Sequence, residues 1–126
     1  MRCLLVDDSA RFRRAARTLL EHDGVEVEVA ATGSEAARRA PEVRPDVVLL
    51  DIDLGGESGF ELAHRFHAAW HAEGSPLRRV GIILVSTHAE QDFEDLIGTS
   101  PALGFLSKSS LSAGAIRQLL DGRGAP

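Results

Sequence analysis

Short apolar runs and longer amphipathic stretches alternate along this chain. Arg2-Cys3-Leu4-Leu5-Val6 is apolar after its first residue and stops at Asp7-Asp8. Val25-Glu26-Val27-Glu28-Val29 alternates strictly, as a half-buried edge strand does. Val47-Val48-Leu49-Leu50 and Val80-Gly81-Ile82-Ile83-Leu84-Val85 have no polar position, the mark of strands buried on both faces. Leu103-Gly104-Phe105-Leu106 reads as a last, short strand.

Helical spacing fills the gaps. Phe12, Ala15, Ala16, Leu19 and Leu20 form one apolar stripe, with Ser9 as cap and Asp23-Gly24 as stop. Thr32 and Glu35 have capping-box spacing. The helix they open runs to about Ala40, where Pro41 ends or kinks it. Leu54-Gly55-Gly56-Glu57-Ser58-Gly59 reads as a loop, with Ser58 capping a helix striped by Leu62, Phe66, Ala69 and Trp70. A polar, acidic helix is expected from about Ala89 to Ile97. The last helix carries Leu111, Ala115, Ile116, Leu119 and Leu120.

Strict strand–helix alternation predicts an α/β fold: a doubly wound, five-stranded parallel sheet with five helices on its two faces. Ligands of such sheets gather at the carboxyl ends of the strands. One domain is expected over residues 1–121, with a flexible tail at 122–126. Met1 and that tail favour a free-standing protein over an excised module. The chain reads as the domain alone, so either an output through a partner or an excised regulatory module is expected.

Composition narrows the class. The net charge of −5 argues against nucleic-acid binding across the surface. Arg11, Arg13, Arg14 and Arg17 read as a solvated helix face. Cys3 is the only cysteine, so no internal disulfide forms, as in a reducing compartment. No segment resembles a signal peptide or a membrane span, and a cytoplasmic protein without membrane insertion is expected.

The strand ends carry the chemistry. The first strand ends in Asp7 and Asp8, the third in Asp51, the fourth in Ser86 and Thr87, and the fifth runs into Lys108. In a parallel sheet these ends share one edge. Neighbouring carboxylates raise one another's pKa, and a hard divalent cation such as Mg²⁺ relieves the repulsion. Lys108 can meet a phosphate, and Ser86 can donate a hydrogen bond to it. The set suits phosphoryl transfer to a carboxylate.

Asp7-Asp8, Asp51, Ser86 and Phe105-Leu106-Ser107-Lys108, in that order at strand ends, resemble the receiver domain of two-component response regulators. The resemblance implies a flavodoxin-like strand order, 2-1-3-4-5. It implies that Asp51 is the phosphoacceptor, taking its phosphoryl group from a histidine kinase or phosphotransfer protein. Asp8 and Asp51 would ligate Mg²⁺ directly, Asp7 through water, and Asp53 through its backbone carbonyl. Ser86 and Thr87 would meet the phosphoryl group, Phe105 would act as an aromatic switch, and Asp53 and His88 would tune phosphoryl lifetime. Output would pass to a downstream protein through the fourth helix, fifth strand and last helix, a face that also offers a homodimer contact. No turnover enzyme is implied.

Three departures stand out, one of them the acid and the imidazole, Asp53 and His88, at the lifetime-tuning positions, which leaves the phosphoryl lifetime open. Gly55 replaces a proline common in the family, which predicts a more mobile loop. Ser109 follows the lysine where proline is usual, which leaves the isomer of that peptide bond open. Two alternatives compete with the switch. One is a receiver-like interaction module that is never phosphorylated. The other is a phosphatase of the haloacid dehalogenase type, whose nucleophile motif Asp51-x-Asp53 resembles. There the acid pair comes last, whereas here it comes first. His64, His67 and His71 share a helical face and read as solvated rather than as a metal site.

Overall fold

The computed structural model describes residues 1–122. The elements are β1 (Arg2–Val6), α1 (Ala10–His22), β2 (Glu26–Ala30), α2 (Gly33–Val43) and β3 (Val47–Asp51). Two short strands follow, β4 (Asp53–Leu54) and β5 (Glu57–Ser58), then α3 (Gly59–Trp70) and β6 (Gly81–Ser86). A 3₁₀ turn (Glu90–Phe93) leads into α4 (Glu94–Gly98). Then come β7 (Gly104–Ser107), a second 3₁₀ turn (Lys108–Ser110) and α5 (Ala113–Gly122).

The main sheet runs β2-β1-β3-β6-β7, all parallel. Counting only these strands, that is the expected order 2-1-3-4-5. The apolar runs dictate it: β1, β3 and β6 are buried along nearly their whole length, so they take the centre. Alternate residues serve two cores. Leu4, Val6, Val48, Leu50, Ile82 and Leu84 face α2 and α3. Cys3, Leu5, Val47, Leu49, Ile83 and Val85 face α1 and α5. Each fully buried Leu or Ile stabilises the sheet by about 1.5–3 kcal/mol. The register aligns Val6 with Leu50 and Asp51 with Val85. Asp7 and Asp51 therefore leave the sheet on one edge.

Several expectations need correction. Helix α2 continues through Pro41 to Val43 and closes at Arg44, in the left-handed region with φ of 50°. Pro41 lies on the exposed side, where water can serve the carbonyl it leaves unpaired, while Val43 is buried. The expected fourth helix is a 3₁₀ turn followed by a short α-helix, and neither contains a buried residue. Its acids recur at Glu90, Asp92, Glu94 and Asp95, so Glu90 and Glu94 repel at helical spacing. In α1 only Ala16 and Leu20 are buried; Leu19 is 46% exposed. The expected tail at 122–126 lies outside the described residues except for Gly122, which closes α5.

The stretch after Asp51 is not an open loop. β4 and β5 pair antiparallel, Asp53 with Ser58 and Leu54 with Glu57. Gly55 and Gly56 form the two-residue turn between them, with φ of 57° and 107°. Both positive values suit the tight hairpin turn that matches strand twist. A proline at 55 could not adopt this φ. Glu57 then fastens the hairpin: its Oε1 accepts from Gly33 N at the start of α2, at 3.0 Å.

Gly59 makes the closest approach. Its amide donates to Ile52 O at 2.9 Å, and a Cβ there would strike the Asp51 carbonyl oxygen. Gly59→Ala must push α3 away from the end of β3. It is expected to destabilise the domain by ~2 kcal/mol or more, read as a lower urea midpoint.

Candidate functional site

Asp7 extends the β1 ladder by one bond, its amide donating to Ala30 O at 3.0 Å. Its side chain is fully buried. Oδ1 accepts from Ser9 N at 2.8 Å, and Ser9 Oγ in turn accepts from Phe12 N at 3.2 Å, starting α1. Arg13 Nη1 donates to the Asp7 carbonyl at 2.7 Å. The acid is thus held by the turn that launches α1. Asp8, the next residue, is exposed.

Asp51 ends β3 and is buried. Its Oδ1 accepts from Asp53 N at 3.1 Å. Its Oδ2 accepts from Lys108 Nζ at 3.3 Å. The same ammonium lies 2.7 Å from Asp7 Oδ2 and 4.3 Å from the centre of the Phe12 ring. It is close to Asp7 Oδ2 but poorly aligned, and that buried oxygen has no well-formed hydrogen bond. Burial disfavours the lysine charge, but Asp7 and Asp51 outweigh it and hold the Lys108 pKa above its ordinary value.

Burial also pushes the Asp51 pKa up to about 6, and the Asp7 charge adds to the rise. The Asp53 amide and Lys108 pull the other way and only partly offset it. Asp7, Asp8 and Asp51 each offer a carboxylate oxygen within 4.8 Å of the others. Three converging carboxylates, one with a buried oxygen that faces an ammonium without a well-aligned hydrogen bond, fit a hard divalent cation with oxygen ligands. A Cβ at Gly55 would lie 3.0 Å from Asp8 Oδ2, so the glycine also keeps this side open.

The other predicted residues lie around this centre. Ser86 is buried at the end of β6, and its Oγ accepts from His88 N at 2.9 Å. Thr87, His88 and the Asp53 side chain are exposed on the rim. Phe105 is buried, with its ring centre 6.4 Å from that of Phe93. Phe93 in turn lies 5.8 Å from Phe60 and 6.0 Å from His88. The peptide after Lys108 is trans.

Three participants were not legible as such. Phe12 read as core stripe, yet its ring faces the ammonium. Arg13 read as solvated, yet it is half-buried on Asp7. Glu57 read as loop filler. Glu57 and Phe12 gave no signal; Arg13 falls on the side of α1 that returns toward Asp7, a placement helical phase alone could have raised.

Fold and site together define a doubly wound α/β domain with an acid cluster and a lysine at one sheet edge. Residues 3–121 match the response regulator receiver domain, and the chain belongs to that family, the receiver domains of two-component signalling. It is 30% identical to the polar-differentiation response regulator DivK of Brucella anthropi, over 83% of this chain and 81% of that one. It is 32% identical to the transcriptional activator protein ExaE of Pseudomonas putida, over 97% of this chain and 56% of that one. Against a protein-glutamate methylesterase/protein-glutamine glutaminase of Alkalilimnicola ehrlichii, 46% identity extends over 43% of this chain but 14% of the relative. The chain thus spans well under two thirds of the length of these last two relatives. Among solved structures, Vibrio cholerae chemotaxis protein CheY4 superposes with a TM-score of 0.78 at 27% identity, covering 95% and 96% of the two chains. No helix of the described residues is long and apolar enough to cross a membrane.

The raised Asp51 pKa has a stability consequence. Between the unfolded value of 3.8 and the folded value of about 6, the folded state holds the proton more tightly. Stability therefore falls as pH rises through that window, and the cost is fully present above it. In metal-free protein, Asp51→Asn is expected to raise stability by ~1–2 kcal/mol above neutral pH. Thermal melts with chelator should show the gain shrinking as pH falls from about 6 and lost below 3.8, where the Asp51 carboxyl is protonated in the folded and the unfolded state alike.

Proposed function

We propose that this domain is a phosphorylation-controlled switch that accepts a phosphoryl group on Asp51 from a phosphohistidine of a histidine kinase or phosphotransfer protein. The observation that carries the reading is the convergence of Asp7, Asp8, Asp51 and Lys108 at one edge of the sheet. An Asp51 oxygen attacks phosphorus; the new O–P bond forms as the P–N bond breaks, and the partner imidazole leaves with the electron pair. Above pH 6 the Asp51 carboxylate is ionised and able to attack.

Lys108 offers its ammonium to the charge on the transferred group. Ser86 Oγ keeps its proton while accepting from His88, so it can donate to a phosphoryl oxygen without losing that bond. The carboxylates of Asp7, Asp8 and Asp51 and the Asp53 carbonyl would hold Mg²⁺. When bound, the ion neutralises charge on the phosphoryl oxygens and orients them. Thr87, beside Ser86, meets the phosphoryl group as well, and Asp53 and His88 flank the entry, where they control water access and hence phosphoryl lifetime.

Output is protein contact through α4, β7 and α5, with homodimer formation through the same face. Two features support this. No residue of α4 is buried, and Leu96 is 50% exposed. Phe93, just before α4, neighbours Phe105 on one side and His88, at the rim of the site, on the other. Incubation with acetyl phosphate and Mg²⁺ is expected to give one phosphate adduct in intact mass. Asp51→Asn and chelator should each abolish it. No adduct, or an adduct that survives Asp51→Asn, overturns the reading.

A further inference from the structure

At the sheet edge opposite the acid cluster, the domain carries a second, positively charged site. There α3 ends beside the start of β6, and a crevice of about 330 Å³ opens between them and the segment before β7. His67, His71, Arg78 and Arg79 line it. The two imidazoles are one turn apart and stack, with ring centres 4.2 Å apart and 28° between planes. His71 Nε2 lies 3.0 Å from Val80 O and donates to it when it carries the proton, which fixes the ring and leaves Nδ1 outside that bond.

Charge in this crevice is one-sided. Burial first, then the charges of His71 and His64, hold the His67 pKa below the usual imidazole value, and no carboxylate acts on it. Asp46 is close in the fold, its carbonyl accepting from Gly81 N at 3.0 Å. Its Oδ2, however, accepts from Arg2 N at 2.8 Å, and Asp46 does not line the crevice. Glu73, in the same loop as the arginines, does not line the crevice. The segment with Pro101 and Leu103 brings no charge. No ion pair or hydrogen bond engages the Arg78 guanidinium among the described residues.

Paired histidines at this spacing could hold a transition metal, but guanidinium groups on the same wall repel a cation. Arg78 suits an oxyanion, which arginine grips with paired donors. Ile82, Pro101 and Leu103 give the crevice an apolar wall that a bare inorganic ion would not use. We propose that this crevice binds a small organic oxyanion, a phosphate or a carboxylate with an apolar body. Arg78 and the His67–His71 pair hold its charged end, and the apolar wall holds the rest. The site is independent of the phosphoryl chemistry at Asp51.

Proton uptake accompanies binding. His71 donates Nε2–H to a carbonyl, so it can donate to the anion from Nδ1 only when protonated. Affinity therefore falls as pH rises through the histidine range. The test is NMR on the full chain without Mg²⁺, titrated with phenyl phosphate and, separately, with benzoate. Saturable shifts of the His67 and His71 rings and the amides of residues 78–82 are expected near about pH 6. Binding should weaken about tenfold or more in Arg78→Ala, an exposed-loop change, and should weaken at higher pH. Asp51→Asn should bind as the native chain does, which separates this crevice from the acid cluster. Saturation by phenyl phosphate alone assigns a phosphate ligand, and by benzoate as well a carboxylate-tolerant one. Saturation by neither anion overturns the proposal. So does binding that Arg78→Ala and His67→Ala leave at native strength, or shifts confined to residues around Asp8 and Lys108.

Discussion

One ammonium holds the acid edge together. Lys108 Nζ sits between Asp7 and Asp51, two buried carboxylates that would otherwise repel across a dry gap. Burial alone opposes every charge in this set. The lysine keeps its proton because both acids favour it, and Asp51 stays ionisable near neutrality because the lysine and the Asp53 amide offset part of its desolvation. The compensation is incomplete. Asp7 Oδ2 lacks a well-aligned donor, and the Asp51 pKa remains high. The three acids at this edge form a cluster of the kind that could hold a metal ion.

The sheet makes this arrangement unavoidable. Parallel strands buried on both faces cannot tolerate acids within their length, so each acid falls where a strand leaves the core. The register of β1, β3, β6 and β7 places those exits side by side. Lys108 follows the edge strand β7 and reaches back over Phe12, whose ring face stabilises the ammonium. Thus α1 contributes to the site twice: its first turn fixes Asp7 through Ser9, and its first aromatic supports the lysine.

The same reasoning explains what was legible in the sequence. Apolar runs ending in Asp51, Ser86 and Asp7-Asp8 announced both the strands and the site, because burial and polarity change at the same residue. Contacts that depend on side-chain reach were hidden. Nothing in residues 10–14 distinguishes Phe12 over Lys108 from core stripe, and for Arg13 helical phase gives the side of α1 but not the bond to Asp7. Pro41 was read by its local penalty, but the buried Val43 beyond it decides where α2 ends. Gly55 was read through the missing proline as freedom. In context Gly55-Gly56 closes a paired hairpin, and Glu57 ties it to α2.

That hairpin alters how the rim works. Asp53 leads it, and its amide already holds Asp51 Oδ1. Glu57 ends it and anchors on Gly33 N, on a different helix. The backbone beside the acids is therefore braced at two points, whereas the α4 side rests largely on ring contacts among Phe60, Phe93, Phe105 and His88, besides the His88 N to Ser86 Oγ bond. Ring packing tolerates sliding better than short hydrogen bonds do, because dispersion contacts have no strict direction. A charge change at Asp51 would then meet a stiff wall on the hairpin side and a compliant one toward α4. Helix α4, short and without a buried residue, is the element with least to lose by moving.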